Sequence, residues 1–171
     1  MRRISPHKTT RVLLTIASGF GIACGGDSTA PQDTNAGVTG TWAVIATESG
    51  HGLSCQFRGL EFNLNQTGET FSGTWTAPAD IQCRDTDGRV VKVGEIGSIV
   101  NGLVLTGEGG NIANGRVSGN QISFELKPAN ASLAGTLQGG DGMSGQGTDR
   151  IEFAEPIGTI EMALTWAAQR Q

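Results

Sequence analysis

Positive charge is scarce over most of this sequence. Twelve of the 171 residues are Lys or Arg, and four of these, Arg2, Arg3, Lys8 and Arg11, precede Val12. The remainder carries 8 basic against 16 acidic residues, a net charge of −8. A nucleic-acid surface needs clustered Lys and Arg to displace counterions from phosphates. No basic stretch follows Arg11, so nucleic acid is excluded as a partner, and electrostatic attraction to anionic headgroups is excluded with it. Histidine is scarcer still: beyond His7 only His51 remains, in "ESGHGLSC", and it reads as an exposed turn residue. The chain has no Cys-x-x-Cys or His-x-x-x-His spacing and no complete dinucleotide fingerprint. In "GMSGQG", Gln146 stands where a nucleophile elbow needs its second glycine, so Ser144 reads as an outward strand residue. "DTDG", with Asp85, Asp87 and Gly88, lacks the further oxygen ligands of a calcium loop and reads as an Asx-type turn. These absences leave no metal site and no cofactor site, and the chain is expected not to be an enzyme.

Long hydrophobic runs are also missing. The longest, Val12 to Ala23, has twelve residues. As a helix it would cover about 18 Å, short of a bilayer core of about 30 Å. Behind the basic residues 1–11 it has the layout of a secretory signal. Its end, Gly21-Ile22-Ala23-Cys24, resembles a bacterial lipobox. That resemblance implies residues 1–23 as a lipoprotein signal peptide and Cys24 as the lipidated new N-terminus, anchoring the chain to a membrane. Gly25 in place of Asp implies, by the same resemblance, the outer membrane, on its periplasmic or cell-surface face. Two other readings stay open: ordinary signal cleavage leaving Cys24 as a thiol, or Cys24 in a disulfide. Residues 24–38 are small and polar without apolar periodicity, and read as a flexible tether.

Cysteine is limited to Cys24, Cys55 and Cys83. An odd count in a secreted chain needs a use for the odd residue. Lipidation of Cys24 leaves Cys55 and Cys83 to pair in an oxidising compartment, the alternative being two buried thiols.

Glycine is plentiful, at 27 residues, but without the triplet period of collagen. From Val38 onward the apolar residues follow a period of two. Trp42, Val44 and Ala46 share one face. So do Leu60, Phe62 and Leu64; Phe71, Gly73 and Trp75; Ile122, Phe124 and Leu126; and Ile160, Met162, Leu164 and Trp166. Leu133, Gly135 and Leu137 are expected to face Met143, Gly145 and Gly147 across the turn at 139–142. Residues 84–110 form a less regular insert. Within it "GSIVNGLV" from Gly97 is echoed by "GNIANGRV" from Gly110, each with an Asn-Gly that tolerates positive φ. Short strands with one apolar face each must close to bury that face and to remove free edges. The fold class expected is all-β: residues 39–171 form a single eight-stranded up-and-down meander barrel with an extra inserted hairpin. Inward glycines at 73, 135, 145 and 147 give the strands room to bend.

The opening "TGTW" resembles the Gly-x-Trp first strand of lipocalins and avidins. The hairpins "LNQTGETFSGTW", "NGRVSGNQISFEL" and "LAGTLQGGDGMSG" resemble those of lipocalin-like (calycin-type) domains in bacterial lipoproteins, over residues 39–168. Trp75, Trp166, Phe71 and Phe124 are the candidate ligand-contacting residues, because aromatic rings on inward faces would line a pocket. The competing reading is that they fill the barrel, with Trp42 as a structural plug. The sequence therefore points to an envelope lipoprotein whose barrel binds a small apolar ligand. The alternative is a structural or protein-interaction module of the envelope with a filled barrel, presenting the 84–110 insert to a partner protein.

Overall fold

The computed structural model describes residues 37–91, 108–152 and 158–171. Among them every regular element is a strand. In chain order these are β1 (Gly40–Gly50), β2 (Leu53–Thr67), β3 (Thr70–Thr76), β4 (Asp80–Asp85), β5 (Val90–Val91), β6 (Gly110–Ser118), β7 (Gln121–Lys127), β8 (Ala131–Gln138), β9 (Gly142–Glu152) and β10 (Thr159–Arg170). The order β1-β10-β9-β8-β7-β6-β3-β2 closes through a β1–β2 pairing, giving an eight-stranded antiparallel up-and-down barrel. Strands β4 and β5 lie outside the ring. Cys24, the signal and most of the tether fall outside the described residues, as does the first copy of the internal echo.

The alternation read from the sequence decides which faces turn inward. Leu133, Gly135 and Leu137 pair with Gly147, Gly145 and Met143. The alternating apolar residues of β1, β2, β7 and β10 are almost all buried. Each large apolar side chain removed from water contributes about 1.5–3 kcal/mol. Two bulges reset the alternation. In β2 the inward set passes from Cys55 and Phe57 to Leu60, Phe62 and Leu64, and the extra residue is Gly59 at φ 72°. In β6 the register shifts between Ala113 and Arg116, with Asn114 at φ 54°. This is the Asn-Gly bend expected in the second copy of the echo. Glycine and asparagine are the residues that occupy this left-handed region most readily.

Strand β2 outlasts the ring. Its second half pairs with β3, and its first half, Leu53–Arg58, pairs with β4. Cys55 and Cys83 are direct cross-strand partners there and form a disulfide. By loop-closure entropy a cross-link with a separation of 28 residues contributes about 3.5 kcal/mol. At the foot of this hairpin the Asp85 carboxylate accepts hydrogen bonds from the backbone N–H groups of Asp87 and Arg89, which is the Asx turn read from "DTDG".

Candidate functional site

The two ends of the barrel are built differently. One end gathers the start of β1 and the tight turns at 68–69, 119–120 and 139–141. Here Trp42 and Val38 are fully buried. The Trp42 indole N–H donates to the Val38 carbonyl at 2.8 Å, and the Gln66 amide oxygen receives the Val38 N–H. Arg170, at the end of β10, lies over the Trp42 ring with its guanidinium carbon 4.4 Å from the centroid. It also donates to the carbonyls of Gly37, Thr39 and Gly140. A cation stacked on an aromatic face and held by three carbonyls caps this end firmly.

The middle of the barrel is aromatic. Phe124 stands edge-to-face with Phe62, Phe71 and Trp166, at centroid distances of 5.5, 5.7 and 5.6 Å. Trp166 reaches over glycines on the two strands beside it. Gly145 is its partner on β9, and Gly135 is the next residue across on β8. A Cβ at Gly135 would come within 2.8 Å of the Trp166 ring, so the missing side chain at Gly135 makes space that the indole occupies.

Toward the other end the inward faces turn polar. Inward residues Met162, Leu164 and Trp166 of β10 form a strip. Glu48 of β1 pairs with Leu164, and Asp149 of β9 pairs with Met162. The strip is thus flanked by a carboxylate on each side, and both acids are fully buried. Neither oxygen of Glu48 has a hydrogen-bond partner among the described residues, and neither does the indole N–H of Trp166. Burial, reinforced by the negative charge of Asp149, pushes the Glu48 carboxyl up to about 8. A buried carboxylate without partners is costly in its charged form.

Of the four candidate ligand-contacting residues, Phe71, Phe124 and Trp166 meet in the central cluster. Trp75 stands apart, its indole N–H donating to the Lys127 carbonyl at 3.1 Å. All four are buried. The sequence reading missed Glu48, Asp149 and Arg170. The signal for the acids was present: one more step of the alternation through Trp42, Val44 and Ala46 reaches Glu48, and one more step past Gly147 reaches Asp149. Among the described residues no group of three or more His, Cys, Asp or Glu is placed to hold a metal ion. His51 is exposed in the β1–β2 turn.

A groove of about 470 Å³ lies on the outside of the wall, over β1, β2 and β10, lined by Ala43, Ile45, Arg58, Ala167 and Gln169 among others. Ile45 is 53% exposed in it.

No protein-family model matches the chain, and no curated protein sequence matches it. Solved structures similar to it include three designed barrels. One is EF1p2_mFAP2b bound to DFHBI, with 15% identity and a TM-score of 0.46, covering 78% of this chain and 93% of that chain. The redesigned β-barrel mFAP1 bound to DFHBI has 17% identity and a TM-score of 0.43, covering 80% and 97%. A fluorescence-activating β-barrel designed de novo has 14% identity and a TM-score of 0.38, covering 78% and 93%.

Proposed function

We propose that this chain is an envelope lipoprotein, anchored to the outer membrane through lipidated Cys24, whose barrel is a binding module for a small, largely apolar ligand. The reading assigns binding rather than catalysis. The observation that carries it is the asymmetry of the interior. One end is capped by Trp42, Val38 and Arg170, whereas in the rest of the interior the Glu48 carboxyl and the Trp166 indole N–H are buried without hydrogen-bond partners among the described residues. An interior of that composition, mostly apolar with a few fixed polar groups, has the chemistry of a small-molecule site. The test is a titration of the purified protein with a panel of small apolar molecules, followed by tryptophan fluorescence and melting temperature. A saturable change in both is expected; no change with any member would remove the reading.

The anchor rests on the lipobox resemblance and is tested separately. Palmitate labelling in a bacterial host is expected for the wild type and to be lost in Cys24→Ala. Equal labelling of the two would reject the anchor.

A second reading, a structural or protein-interaction module, is favoured by the outer groove and its exposed Ile45. If that reading holds, Ile45→Glu abolishes pull-down of envelope proteins while the ligand titrations stay flat.

A further inference from the structure

We infer that the ligand held in the barrel carries a cationic amine, which Glu48 receives as a hydrogen-bonded ion pair with Asp149 contributing its charge across the β10 strip. This deepens the binding reading above and rests on it.

Three features of the interior support the assignment. First, Glu48 is fully buried and both its oxygens lack hydrogen-bond partners among the described residues. Buried polar groups in native proteins are nearly always satisfied, so such a carboxyl marks a place where a partner belongs. Second, the groups around it do not supply that partner. Cys55, opposite Glu48 on β2, is consumed in the disulfide, and the paired residue on β10 is Leu164. Met162 follows Leu164 on the same face, and the titratable group that acts on Glu48 is Asp149, another acid. Third, the surroundings fit an amine with an organic body. Trp166 is the diagonal neighbour of Glu48 on the same inward face, at a spacing of about 7–8 Å for such pairs. Its ring belongs to the aromatic cluster at mid-barrel, apolar surface for an organic body, and its indole N–H is buried without a partner. A carboxyl that already feels the negative charge of a second acid favours a cation over an anion. Two carboxylates are too few oxygen ligands for calcium, which favours an organic cation over a metal ion.

The test uses three probes of similar size, n-octylamine, n-octanol and octanoate, titrated at pH 9, above the Glu48 value of about 8 and where an alkylamine is still protonated, into wild type and into Glu48→Gln, with binding read by calorimetry and tryptophan fluorescence. Glu48→Gln preserves side-chain shape, and its fold is checked by circular dichroism. In the wild type, octylamine is expected to bind at least about tenfold more tightly than octanol, the scale of one charge-assisted hydrogen bond, and octanoate most weakly. In Glu48→Gln the preference for the amine over the alcohol should fall to within about twofold. Equal affinity for octylamine and octanol in the wild type would overturn the amine while leaving the binding site in place. An amine preference that survives Glu48→Gln would overturn the role of Glu48. Failure of all three probes to bind the wild type would overturn this inference together with the binding reading; an interior where buried water alone meets Glu48 and Trp166 would give that result.

Discussion

Trp42→Ala is expected to lower the unfolding free energy by about 4 kcal/mol, measured by urea denaturation. The indole is fully buried, and its removal leaves a cavity beneath Arg170 that the ring of strands cannot collapse to fill. It also strips the Val38 carbonyl of its donor and Arg170 of its stacking partner. Trp42→Phe separates these effects. It keeps an aromatic face under the guanidinium and loses the hydrogen bond, so a loss of about 1–2 kcal/mol is expected. A loss under about 1 kcal/mol for Trp42→Ala would mean that the capped end is not a cornerstone of the barrel.

The second large effect depends on pH. The Glu48 carboxyl is raised from 4.5 to about 8 in the folded barrel. Between those values the folded state holds a proton that the unfolded chain has lost, so stability falls as pH rises. The contribution is fully present below about pH 4.5, declines through the window up to about 8, and levels off above it. Between pH 5 and pH 8 the wild type should lose about 3–4 kcal/mol more stability than Glu48→Gln, which has no proton to give up. The facing groups on β2 and β10 do not titrate: Cys55 is in the disulfide, and Leu164 and Met162 are apolar. Asp149 acts in the same direction, since its charge opposes ionisation of Glu48. Parallel pH profiles for the two proteins would show that Glu48 ionises freely and is not held in a dry interior.

The barrel was legible in the sequence because a period of two carries its own inside and outside. The pairing of Leu133, Gly135 and Leu137 with Gly147, Gly145 and Met143 follows once the turn at 139–142 is recognised. The disulfide was legible from cysteine arithmetic once the lipobox resemblance had set Cys24 aside. The bulges were less so: at Gly59 one extra residue shifts Cys55 and Phe57 out of phase with Leu60, so strict alternation does not run through β2. The acids were overlooked for a different reason. Hydrophobic periodicity records apolar residues, and an inward Glu or Asp looks like the end of the pattern instead of its continuation. Arg170 was hidden because nothing local marks it; its contacts with Trp42, Thr39 and Gly37 join the two ends of the barrel sequence and exist only after the ring closes.

The central claim is that one end of this barrel is capped and the interior beside Glu48 receives a ligand. The chain has three tryptophans, hence three indole N–H resonances, and a titration with n-octylamine followed by nitrogen–proton correlation spectroscopy tests the claim most directly. The Trp166 signal should move, because its N–H is buried without a partner in the uncapped part of the interior, and the Trp42 signal should stay, because its N–H is held by Val38 beneath Arg170. Movement of Trp42 with Trp166 unchanged, or no movement of any of the three, would contradict the account.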